Sequence, residues 1–177
     1  QIAGLTSQIS AITTAGIGAM TTAQVAAIET IDISGLTTEQ IAKLSTVQEA
    51  ALGTAQIVKL SSAQLNAIDD ADIKGLGTAQ IVALTTDQFY FGLNTAQIAS
   101  ISTAQISAIQ TVDLSTLSST QIGAMTTAQF ANLATAQIAA LTTAGIQLQS
   151  IPTAGIAALT ATQVAAIETR DISSLTT

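Results

Sequence analysis

Large apolar residues recur along this chain at alternating steps of three and five. From Thr13 the sequence divides into octads: TTAGIGAM, TTAQVAAI, ETIDISGL, TTEQIAKL and their successors. Regular octads occupy residues 13–84, 94–141 and 152–175. Two irregular units interrupt them, nine residues at 85–93 and ten at 142–151. The consensus is x-T-A-Q-I-x-x-L. Position 8 is always Leu, Ile or Met, and position 5 is apolar except at Glu49. Position 2 is Thr, Ser or Asp except at Ala161, and position 4 is Gln, Asp or Gly. Positions 3 and 7 are mostly small, which suits close approach of successive turns.

This spacing fits neither regular element over long stretches. A continuous α-helix turns about 100° per residue, so eight residues overshoot two turns by about 80° and the apolar stripe spirals. In a strand, an odd spacing puts positions 5 and 8 on opposite faces. Each octad is therefore a short structure that is broken and restarted. Thr at position 2 is the preferred N-cap, because position 1 accepts the poor caps Glu29, Gln110, Ala134, Pro152 and Glu168. In the alternative frame position 1 caps, and T-T-A-Q is a capping box with Gln reaching back.

One octad cannot stand alone. It buries two large side chains at roughly 1.5–3 kcal/mol each. Ordering its backbone costs on the order of 8–16 kcal/mol. Stacking against neighbours must supply the rest, which is the physical basis of a solenoid. The expected fold is an all-α solenoid of very short helices, one per octad. A β-solenoid is the alternative, favoured by the Thr and Ile content and opposed by the Ala and Gln content.

A longer period lies above the octad. Residues 14–37 closely match 153–176, an offset of 139 residues, or seventeen octads plus the three inserted residues. The expectation is a single array over residues 1–177, cut from a longer parent. The chain opens and closes in mid-pattern, with no signal peptide at its start.

Composition narrows the function classes. Only 8% of residues are charged, against about 25% in ordinary domains. The surface is thus mostly Thr, Ser, Gln and Ala, with little repulsion between copies. A net charge of −7 with only Lys43, Lys59, Lys74 and Arg170 as cations argues against nucleic-acid binding. The absence of Cys and His removes disulfides, thiol and imidazole chemistry and Cys/His metal sites, and the lack of Cys suits export. Polar residues interrupt every apolar run, so no segment approaches the ~20 residues of a membrane span. No catalytic residue is expected.

The pattern LTTAQIAAL, closely matched by LATAQIAAL at Leu133–Leu141 and LNTAQIASI at Leu93–Ile101, resembles repeats of very large exported bacterial proteins described as adhesin-like, cell-surface or filament components. That resemblance implies an extracellular or surface location and no catalytic residue.

Few residues stand out from the pattern. Asp replaces Gln at position 4 in Asp32, Asp72, Asp113 and Asp171. Asp69, Asp70 and Asp72 are together the one weak calcium candidate; otherwise no cofactor is expected, and the plainer reading is that Asp replaces Gln in cap hydrogen bonding. Phe89, Tyr90 and Phe91 form the one aromatic cluster, either an exposed subunit contact or filler for the gap made by the extra residue. Phe130, at position 5, belongs to the core. Glu49 at position 5 is expected to be exposed by a local shift, or paired with Lys43 or a neighbouring subunit, since a bare buried carboxylate is costly. The functional expectation is a structural, self-assembling subunit of a bacterial surface filament, sheath or layer, forming homo-oligomers or polymers. The alternatives are the stalk or binding array of an adhesin with a surface ligand, and an ice-binding array of Thr side chains.

Overall fold

A computed structural model describes residues 9–142 and 146–167 of the chain, without the side chains of 142–147. The rest of the octad at 168–175, with Arg170 and Asp171, lies outside the described residues. The described residues form short helices and no strand, so the all-α expectation holds and the β-solenoid does not. Seventeen α-helices are described, from four residues (Thr30–Ile33) to eight (Thr135–Thr142). Helices this short do not persist alone in water, so packing must hold them.

Most octads with Gln at position 4 begin and end by the same local chemistry. Position 1 is extended, as at Thr21 with φ −74° and ψ 158°, and the helix starts at position 2. The Thr21 hydroxyl accepts from the Gln24 N–H at 3.3 Å, while Gln24 Oε1 accepts from the Thr21 N–H at 2.8 Å. This is the capping-box frame, so the preferred position-2 cap is corrected. Position 2 is the first helical residue, not the cap. At the other end position 8 returns to extended backbone, with ψ 135° at Ile109 and 142° at Met125. Two consecutive extended residues turn the chain and break the helix.

The chain divides into two compact units, residues 1–93 and 94–177. Within each, a helix packs on the one three units further along. In the first, Thr22–Ala26 packs on Thr46–Ala50, which packs on the 3-10 turn Asp72–Gly75. In the second, Thr103–Ala108 packs on Thr127–Ala131. Positions 5 and 8 supply the core: Ile33, Leu36, Ile57 and Leu60 in the first unit, and Ile106, Ile109, Ile122 and Met125 in the second, are all buried. Position 7 meets a neighbouring coil where it is small: a Cβ on Gly75 would collide with Thr46 Cγ2. Position 3 does not. It is exposed from Ala15 to Ala79, and it tolerates Ile31, Glu39 and Val47 because nothing packs there.

Candidate functional site

The residue that ties the coils together is Gln at position 4. Its Oε1 takes the N–H of position 1, which buries the amide at the root of its own helix. Its Nε2 then donates to two carbonyls of an earlier coil. Gln56 reaches Val25 O at 3.1 Å and Ile28 O at 2.7 Å. Gln64 reaches Ile33 O and Leu36 O, at 2.9 and 2.7 Å. Gln80 reaches Glu49 O and Leu52 O, at 3.0 and 2.8 Å. In the second unit Gln129 reaches Ile98 O and Ile101 O, both at 2.7 Å, and Gln137 reaches Ile106 O and Ile109 O at 3.0 and 2.7 Å. The sequence separations are 31 and 28 residues each time. Twenty-eight residues is three and a half octads, so each coil holds between three and four octads.

These carbonyls are C-terminal acceptors of the earlier octad, belonging to its positions 5 and 8. A short helix leaves such groups without intrahelical partners. One glutamine therefore satisfies a donor at one helix start and the position-8 carbonyl at another helix end. It adds a second bond to the position-5 carbonyl, which already accepts the position-8 N–H, as Glu49 O does from Leu52 N at 3.1 Å. A buried polar group is tolerated when it is bonded in this way. Gln97 is fully buried, and Gln40, Gln48, Gln105, Gln121 and Gln163 are buried too. Gln24 is the contrast. Positions 28 and 31 residues before it precede Gln1, and its side chain is exposed.

Because Gln binds the backbone of position 1, that position needs no capping side chain. Gly53 and Gly77 occupy it and still donate to Gln56 and Gln80, at 2.7 and 2.6 Å. That accounts for Ala134, whose N–H donates to Gln137 at 2.8 Å, but not for Glu29 and Gln110, whose octads carry Asp at position 4. Pro152 has no N–H to give. Its octad carries Gly155 in place of Gln, and the vacated volume is filled by Phe130, whose Cδ2 lies 2.7 Å from where a Gly155 Cβ would be.

Asp at position 4 cannot make the inter-coil bonds. The carboxylate is one methylene shorter and has no N–H to donate. No capping box closes the helices Thr30–Ile33 or Thr111–Leu114. Asp72 instead accepts from the Thr46 hydroxyl of the coil it packs on. Asp69 accepts from the Ala71 N–H at 2.9 Å. Among the described residues no group of three or more His, Cys, Asp or Glu side chains is placed to hold a metal ion, so the calcium candidate Asp69, Asp70 and Asp72 is not assembled.

The remaining candidates separate cleanly. Phe89 is fully buried at position 5, whereas Tyr90 and Phe91 are 47% and 67% exposed. Their rings meet edge to face at 4.5 Å. The extra residue of the 85–93 unit is absorbed by a π-helix, Gln88–Gly92, which keeps Phe89 and Leu93 both in the core. Phe130 is buried, as expected. The ten-residue unit shifts the register by two: Gln163 reaches Phe130 O and Leu133 O at separations of 33 and 30. Its residues 143–145 lie outside the described part.

Glu49 overturns its expectation. It is 1% exposed, and neither carboxyl oxygen has a hydrogen-bond partner. It has not shifted outward and does not pair with Lys43. Its helix keeps the octad backbone, with Gln48 capping Ser45 N at 2.7 Å, so the side chain is carried into the core by register alone. Burial, then Asp72 and Asp69, push its carboxyl up to about 8.

Two stretches match the ALTTAQ repeat family, residues 25–62 and 106–143. Each match opens at position 5 of an octad, at Val25 and Ile106, so both lie in the same phase. In these ALTTAQ stretches the glutamines Gln48, Gln56, Gln129 and Gln137 are ladder residues. No curated protein and no solved structure matches the chain. No helix among the described residues is long and apolar enough to cross a membrane.

Proposed function

We propose that this chain is a structural repeat protein whose role is to build an elongated, self-associating element on the outside of a bacterial cell, as a filament, sheath or layer subunit. The observation carrying this reading is the glutamine ladder. Where a regular run of octads carries Gln at position 4, the same three bonds recur at the same separations, so the structure is extended by one rule. The surface supports it: Ala, Thr and Ser with few charges oppose close approach of copies only weakly. Sedimentation of the purified chain over a hundredfold range of concentration tests the reading. Mass should rise with concentration, and a monomer throughout would count against it.

A second reading is a stalk or binding array of an adhesin. The exposed Tyr90–Phe91 pair favours it, since the surface is otherwise poor in aromatic groups. Surface attachment that survives deletion of the array would reduce the array to a spacer.

A further inference from the structure

The position-5 column holds one ionisable group, Glu49, among Ile, Val, Leu and Phe. Its chain neighbours are Thr38–Ile41, with Glu39 and then Lys43, and Thr54–Ile57, followed by Lys59, and those charged side chains are all exposed. Besides these, four elements are joined to its helix, Thr46–Ala50. Three of them, Thr14–Gly18, Thr22–Ala26 and Thr78–Ala83, carry no titratable side chain. The first is joined through Gln48 Nε2, 2.6 Å from Met20 O just past its end. The third is joined through Gln80 Nε2, 3.0 Å from Glu49 O. The fourth is the 3-10 turn Asp72–Gly75, with Asp69 and Asp70 just before it and Lys74 exposed on it. This contact is close. Gly75 sits against Thr46 with no room for a Cβ, and the Thr46 hydroxyl holds Asp72. The two acidic groups that act on Glu49, Asp72 and Asp69, thus lie across one seam.

We propose that the contact between the helix Thr46–Ala50 and the turn Asp72–Gly75 is a pH-operated joint, closed while Glu49 is protonated and loosened when it ionises. A buried carboxylate with no donor must gain water, which requires a packed contact of its helix to open. Asp69 and Asp72 add repulsion in the same direction. The carboxyl is raised from 4.5 to about 8 in the fold. Between those values the unfolded chain has lost the Glu49 proton and the folded chain keeps it. Stability from this group is therefore fullest below about pH 4.5, falls as pH rises towards 8, and is level above that.

The test uses the whole 177-residue chain, with Glu49→Gln and Glu49→Ile. Urea unfolding from about pH 5 to about pH 9 gives the folded-to-unfolded ratio. The wild-type ratio should fall at least about tenfold more across this range than that of either variant. Native-state hydrogen exchange locates the effect. Above about pH 8, protection at Leu52 and Leu76 should drop in the wild type relative to Ile106 and Ile122, and should hold in Glu49→Gln. Parallel pH profiles for wild type and both variants would overturn the proposal. So would a pH-dependent loss spread evenly over both compact units.

Discussion

The Nε2 of Gln80 lies 2.8 Å from the carbonyl oxygen of Leu52, a residue 28 positions earlier and one coil away. The same side chain accepts the Gly77 N–H at 2.6 Å. Gly77 has no side chain of its own to cap the helix Thr78–Ala83, so Gln80 both starts that helix and fixes its coil. Gln80→Ala strands the Leu52 carbonyl and the Gly77 N–H, while Glu49 O keeps its bond from the Leu52 N–H, at about 1–3 kcal/mol for each group left without a partner. A total loss of roughly 2–4 kcal/mol is expected after relaxation, read as a lower urea midpoint. Gln80→Glu should cost more, since it sets a carboxylate against two carbonyls. Gln24→Ala is the control: that side chain is exposed and only caps Thr21, so about 1 kcal/mol is expected. Equal losses at Gln24 and Gln80 would remove the ladder from the account.

Phe130 and Gly155 share one volume. Phe130→Ala should cost about 3–5 kcal/mol as a cavity. Gly155→Ala should destabilise through overpacking, because its Cβ would meet the Phe130 ring at 2.7 and 2.8 Å. Combined with Phe130→Leu, the Gly155→Ala penalty should shrink. A double-mutant cycle in thermal unfolding reads this directly, and strict additivity would contradict the shared volume.

The π-helix Gln88–Gly92 exists to absorb one residue. Deleting Phe91 restores an octad, TTDQFYGL, so the helical circular dichroism should persist and the thermal midpoint should change little. Deleting Ala108, inside the regular octad of Ile106 and Ile109, should instead move Ile109 out of the core and lower the midpoint clearly. The reverse order of tolerance would mean the π-helix is not an accommodation.

Tyr90→Ser and Phe91→Ser remove exposed rings and should leave unfolding within about 0.5 kcal/mol of wild type. If the pair is a subunit contact, the double variant should sediment as smaller species at matched concentration. Unchanged association would leave the pair without that role.

Much of the fold was legible because the apolar residues carry it. The Ile, Leu and Val of positions 5 and 8 mark most of the core, although Val164 is exposed, and the +3, +5 spacing forces a break in every octad. The capping half of the glutamine's role is legible as the T-T-A-Q box, but its reach to another coil is hidden because the low charge assigns Gln to the surface. Two signals pointed to it. A long side chain recurred at one place where Ser or Thr would serve a surface equally well, and Pro152 occurred with Gly155. Glu49 misled for a related reason. The cost of a buried carboxylate is real, but a neutral carboxylic acid costs less than a rupture of register running through the coils on either side. The division of Phe89 from Tyr90 and Phe91 depends on where the π-helix places its extra residue, which composition does not specify.

Electron microscopy of purified protein spanning at least two of the 139-residue super-repeats tests the structural role most directly. Long ordered fibres or sheets, with a repeat that reports the super-repeat, are the expected result. Isolated thin rods that never associate would contradict self-assembly and leave the coil as a stalk or spacer.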